Sequence, residues 1–167
     1  GQITASQSGN QLNVQVNNVQ STYAIDKVTL AVWSENGGQD DLKWYAMTRN
    51  GNSWNLSVNL ENHKKDTGIY NMHLYYQDLK GRSVIVTGKQ INIVPNADIN
   101  VSQTSTGFTV KVSNIYTPYT VQSITIPVWS NKNGQDDIAW YQATKSGNDW
   151  VVNVNTGNHK GDTGIYN

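Results

Sequence analysis

The chain has 167 residues, and its twelve basic and twelve acidic side chains cancel, so it lacks the charge that nucleic acid or an anionic membrane would attract. It contains no cysteine and no apolar run long enough for a bilayer, which excludes a disulfide-stapled scaffold and a spanning helix within this sequence. Abundant Asn, Gln, Ser, Thr and Gly, with six Trp and nine Tyr against one Phe, suit an exported bacterial surface protein. The chain begins at Gly1 rather than Met and shows no signal peptide, so it reads as part of a longer polypeptide.

In chain order, period-2 alternation predicts strands and no helix. The stretch "LNVQVNNV" puts Leu12, Val14 and Val16 on one face and Asn13, Gln15 and Asn17 on the other. "WNLSVNL" does the same with Trp54, Leu56, Val58 and Leu60. The expected strands of this first part are residues 2–8, 11–19, 27–34, 42–49, 53–60, 68–78 and 83–93. Asn50-Gly51 and Lys80-Gly81 supply turn chemistry between neighbouring strands, and Ser146-Gly147 does so further along. Seven short antiparallel strands with one apolar face make a two-sheet sandwich.

The pattern then recurs. A shift of 96 positions aligns residues 3–71 with 99–167 without a gap, and 32 of the 69 pairs are identical. That period suits one sandwich of about 100 residues, which gives domains 1–95 and 96–167. The second domain stops at Tyr166-Asn167, where the first continues with "MHLYYQDLKGRSVIVTGKQINIV", so it is expected to lack its last strands. Val110, Val128 and Trp150 should then lack a cover. Either the native polypeptide continues or a neighbouring chain donates strands.

"DTGIYNM" has the form Asp-x-Gly-x-Tyr of a tyrosine corner, which favours an immunoglobulin-like version of the sandwich. Met72 takes the place of the second cysteine of an antibody domain, and Trp33 lies on the strand that would carry the core tryptophan. Trp33, Trp129, Trp54 and Trp150 are expected in the core.

"GQDDLKWY" and "GQDDIAWY" repeat a pair of carboxylates before two aromatics. Asp40 and Asp41, like Asp136 and Asp137, would point to opposite faces of a strand, which is wrong for general acid–base work on one bond. Calcium ligation by Gln39, Asp40 and Asp41 lacks the spaced oxygens of an EF-hand loop. A turn in which an Asp bonds backbone amides, or a ligand contact, remains. His63 and His159 lie near aspartates, yet two ligands without cysteine do not complete a zinc site, so hydrogen-bonded loop histidines are the better reading. No metal and no cofactor is expected. Trp44 and Tyr45 cannot both face inward, nor can Tyr75 and Tyr76, and His73 shares a face with Tyr75. One ring of each pair should reach solvent, where sugar or protein recognition would use it. The candidate ligand-binding residues are Gln39, Asp40, Asp41, Trp44, Tyr45, His73 and Tyr75, with Gln135, Asp136, Asp137, Trp140 and Tyr141 in the second copy.

"VWSENGGQDDLKWY", "GNSWNLSVNLENHKKDTGIYN" and "MHLYYQDLKG", with their second-copy counterparts "VWSNKNGQDDIAWY" and "GNDWVVNVNTGNHKGDTGIYN", resemble the group B streptococcal Bsp-like repeat over nearly the whole chain. The resemblance implies tandem modules of surface proteins from streptococci and related Gram-positive bacteria, often beside peptidoglycan-cleaving domains. It implies an extracellular, wall-associated module with no catalytic residues. Two functions follow from it and from the rings together. One is a binding module that holds a surface protein or murein hydrolase on wall glycan. The other is a spacer or assembly element with no glycan ligand.

Overall fold

The structure is a computed structural model that describes residues 1–167. It is all-β apart from two single-turn 3-10 segments. Two compact units hold the bulk of the chain, Gly1–Pro95 and Asn96–Ile115 with Tyr119–Asn167. No helix is long and apolar enough to cross a membrane.

The first unit has eight strands: β1 (Gln2–Ser8), β2 (Gln11–Asn17), β3 (Ile25–Ser34), β4 (Lys43–Ala46), β5 (Thr48–Asn50), β6 (Ser53–Asn59), β7 (Gly68–Asp78) and β8 (Ser83–Ile93). They form two antiparallel sheets, β1-β2-β6-β5 and β4-β3-β7-β8. Alternation decides which side chains close the gap between them. Leu12, Val14 and Val16 from β2 meet Val28, Leu30 and Val32 from β3 and Tyr70, Met72 and Leu74 from β7, all fully or almost fully buried. Met72 thus fills the core position expected of it.

The expected strand 42–49 is two strands in different sheets. β4 pairs with β3, and β5 pairs with β6. Met47 makes the crossing: its side chain is buried and its amide donates to the Val28 carbonyl at 2.9 Å. Four consecutive apolar residues, Trp44 to Met47, blur the alternation here, so the sequence pattern does not mark the switch. The turn at Asn50 closes as a Gly51-Asn52 loop between paired Asn50 and Ser53, with Gly51 at φ +58°, where a side chain would strain the backbone.

Trp33 is a correction. It is buried, but Val32 beside it faces the core opposite Met72, so Trp33 points to the other side of the sheet. Trp150 is buried in the second unit's core, while Trp54 and Trp129 are half-buried.

The second unit contains β9 (Asn96–Gln103), β10 (Gly107–Tyr116), β11 (Thr125–Val128), β12 (Ala139–Gln142), β13 (Thr144–Ser146) and β14 (Asp149–Asn155). The sheets are β13-β14-β10-β9 and the pair β11-β12. Val110, Val128 and Trp150 are buried rather than uncovered. They pack with Val112, Ala143, Val152 and Val154, and half-buried Phe108, Ile126, Tyr141 and Tyr166 close over them. The Tyr166 ring sits 5.1 Å from Phe108, and a single bridge ties Tyr166 to Ser130. Exposure falls instead on Ile99 and Val101 of β9.

Candidate functional site

The paired carboxylates divide their labour. The β3–β4 loop turns Asp41 inward and leaves Asp40 in solvent. Both Asp41 oxygens accept the Ser34 amide at 3.1 Å, and Oδ2 lies 3.0 Å from His63 Nδ1. A carboxylate has no proton to give, so Nδ1–H donates, and Nε2 is left to accept from the Tyr45 hydroxyl at 2.9 Å. His63 is completely buried at the end of the 3-10 segment Leu60–His63. Burial pushes its pKa below the usual 6.5 against the pull of Asp41, which keeps the ring neutral and fixes this tautomer.

The same network reaches the start of β7. The Ser34 hydroxyl donates to Asp66 Oδ2 at 2.8 Å, and the Tyr70 hydroxyl donates to the Asp66 carbonyl at 2.9 Å. The latter bond is the one the "DTGIY" motif predicts, and burial raises the Tyr70 pKa. Four segments are therefore stapled by polar groups that are all satisfied: the end of β3, the following loop, the 3-10 turn and the start of β7.

The second unit repeats the network. Ser130 N–H donates to both Asp137 oxygens at 3.1 and 3.0 Å, His159 Nδ1 lies 3.1 Å from Asp137 Oδ2, and Tyr141 lies 2.8 Å from His159 Nε2. Ser130 donates to Asp162, and Tyr166 donates to the Asp162 carbonyl. One partner differs. Where Asn36 donates to Asp66, Lys132 forms a 2.9 Å ion pair with Asp162. Lys132 and Ser130 together hold the Asp162 carboxyl below the usual range against its burial. Burial acts to raise Asp137, but the Ser130 and His159 hydrogen bonds more than offset it and leave it lowered.

This network absorbs Asp41, Tyr45, Asp137 and Tyr141 from the candidate set, and their polar atoms face the interior. Asp40 and Asp136 are exposed and paired with Lys64 and Lys160 at 2.6 and 2.7 Å. Gln39 and Gln135 are exposed on the same loops. No cluster of three or more potential metal-ligating acids or histidines forms. The amide-bonding Asp and the hydrogen-bonded loop histidine are as the sequence suggests, but sequence reasoning did not join them into one network, because Asp41 and His63 lie 22 positions apart. Its trace was there, since Ser34, Asp41, Tyr45, His63, Asp66 and Tyr70 all recur 96 positions on.

The outward face of the β4-β3-β7-β8 sheet gathers Trp44, His73 and Tyr75, while Trp140 lies on β12 of the second unit. One row across the strands reads Trp44, Ala31, His73, Gly88, and the next reads Ala46, Thr29, Tyr75, Ile85. Of each aromatic pair, Trp44 and Tyr75 take the outer face, while Tyr45 and Tyr76 turn in. The Trp44 and Tyr75 rings lie 4.8 Å apart at 57°, an angled cradle rather than a flat stack. Trp33 is covered edge-on by His73 at 4.8 Å. Trp44 remains 57% exposed and Trp140 69% exposed.

Residues 3–91 and 98–167 match the GBS Bsp-like repeat family. The chain belongs to that family, as two tandem copies. Membership points to a surface-associated module. No curated protein matches the sequence. Among solved structures, a polysaccharide deacetylase from Bacillus cereus is similar at 10% identity and TM-score 0.49, over 58% of this chain and 31% of that one. The catalytic module of a multi-modular glycogen-degrading pneumococcal virulence factor is similar at 16% identity and TM-score 0.36, over 51% of this chain and 12% of that one.

Proposed function

We propose that this chain is a non-catalytic module that holds a Gram-positive surface protein on cell-wall glycan, outside the cell. The observation that carries the reading is the exposed tryptophan. The two copies differ at more than half of their aligned positions, yet both retain a Trp at 44 and 140, and both leave it in solvent. An exposed indole contributes little to folding, whereas its face stacks on the apolar side of a sugar ring. Tyr75 beside Trp44 widens that face in the first unit. Weak single contacts, repeated along the chain, strengthen on a long polymer through effective concentration.

A non-catalytic role is supported by the state of the only acid–histidine pairs. Asp41–His63–Tyr45 has the order of a proton relay, but His63 is sealed from any reacting atom, and Asp41 is occupied by the Ser34 amide. The test is a pull-down on purified sacculi of the parent chain, Trp44→Ala and Trp44→Ala/Trp140→Ala. Circular dichroism confirms that these exposed substitutions leave the fold intact. Retention that falls stepwise across the three supports the module. Equal retention of all three, or none of the parent, leaves the spacer function.

A further inference from the structure

Beside His73, on the side away from the Trp44–Tyr75 cradle, lies a shallow depression lined by Asn71, His73, Gly88, Lys89 and Gln90. Gly88 lies beside His73, and a Cβ there would come within 3.1 Å of His73 Cδ2, so a side chain would push the imidazole aside by a few tenths of an ångström. Asn71 and Gln90 face each other across β7 and β8, joined by one amide–amide hydrogen bond of 2.8 Å. That bond consumes one NH group and one carbonyl. The remainder includes one whole NH2 and one C=O on half-buried Asn71 and exposed Gln90, and this holds whichever way the two amides are oriented.

A free donor beside a free acceptor is the complement of another amide. We propose that this depression binds the 2-acetamido group of an N-acetylated hexosamine. The acetamido carbonyl accepts from the free NH2, its N–H donates to the free C=O, and its methyl rests against the His73 ring. The sugar next in the chain then lies on Trp44 and Tyr75. Trp44, Ala31, His73 and Gly88 occupy one row, so the two subsites fall within three strand spacings, about 14 Å. Ala31 between them is itself covered, so the sugar would bridge the two subsites over the rings rather than along the strand surface. The inference rests on the glycan-binding reading of this face and adds which sugar it selects.

The experiment titrates the full chain with an N-acetylglucosamine oligomer and with the matching glucose oligomer, which carries a neutral hydroxyl in place of the acetamido group. Side-chain amide shifts of Asn71 and Gln90 report occupancy. Two hydrogen bonds lost at a wet site correspond to about a tenfold preference for the N-acetylated oligomer. Gln90→Ala should abolish the preference while leaving the Trp44 response to both oligomers, and Trp44→Ala should weaken both. Equal affinity for the two oligomers, or an undiminished preference in Gln90→Ala, overturns the acetamido site. Sacculus retention by a chain with no such preference would overturn this inference and keep the glycan module. Absence of retention together with absence of oligomer binding would overturn both.

Discussion

The two copies share a polar network and differ in the apolar core around it. In the first unit, β3 runs between β4 and β7, and Leu30 is fully enclosed. In the second, β11 pairs with β12 alone, the chain end at 165–167 bonds only residues 129–131 beyond it, and the corresponding Ile126 is half-buried. The Ser–Asp–His–Tyr bonds nevertheless agree to within 0.1 Å at each counterpart contact between Asp and His or Tyr and His. The network is therefore assembled from local segments, and it needs only the first residues of a strand in the β7 position. Apolar burial depends on the whole opposing sheet.

The largest break in the comparison should come from the core. Leu30→Ala empties a fully buried site and should cost about 3–4 kcal/mol. Ile126→Ala, at a half-buried site, should cost well under half of that. Urea unfolding, with hydrogen exchange at β3 and β11 to separate the units, measures both. Equal losses would mean that the second core is as tightly closed as the first.

Next comes the network itself. Asp41→Ala leaves the Ser34 amide and His63 Nδ1–H buried without acceptors and should cost about 3 kcal/mol. If the network is local, Asp137→Ala should lower protection of the second unit to a matching degree, despite the smaller core there. A much milder effect of Asp137→Ala would show that the β7–β8 sheet supports the network after all.

These contrasts mark what the sequence discloses. Strand alternation is written residue by residue, so β1 to β3 and β6 to β8 lie within a few residues of expectation. The switch at Met47 depends on which sheet each half reaches, and the apolar run Trp44 to Met47 does not encode it. Parity decides Trp33: Val32 beside it is core, so the Trp is outward, although its burial imitates a core residue. The binding face was legible in part, since adjacent aromatics must split between faces. Which one turns in was not, because Tyr45 is drawn by His63, 18 positions away. The Asp-Asp turn was legible as a turn with an amide-bonding Asp, but the buried histidine that completes it required the fold.

A smaller difference lies after each histidine. Lys64 and Lys160 both adopt φ +57°, but the next residue is Lys65 at φ +59° in the first unit and Gly161 at φ +68° in the second. A left-handed lysine is strained where glycine is not. Lys65→Gly should stabilise the first unit by about 0.5–1 kcal/mol, after allowing for the extra freedom glycine gives the unfolded chain. Thermal unfolding reads this, and Gly161→Lys should shift the second unit the opposite way. No change in either variant would mean that the turn relaxes without strain.

The finest contrast is the response to acid, where the two networks should separate. His63 is pushed below 6.5 by burial, with Asp41, Lys43, Tyr45 and Tyr70 around it. The unfolded chain therefore takes up that proton first, and the first unit should weaken as pH falls from 6.5 toward the folded value. In the second unit, Asp162 lies below 3.8, chiefly through the Lys132 hydrogen bond. Its stabilisation is full above 3.8 and disappears only as pH falls through its lower folded value. Lys132→Asn should move that loss to higher pH. Lys132 is exposed, so 1 M salt should shrink the difference between parent and variant. Hydrogen exchange at the Ser34 and Ser130 amides between pH 3 and 7 follows each network separately. Identical acid profiles for the parent and Lys132→Asn would show that the Ser130 bond alone holds Asp162, leaving the lysine as a surface charge without effect on the network.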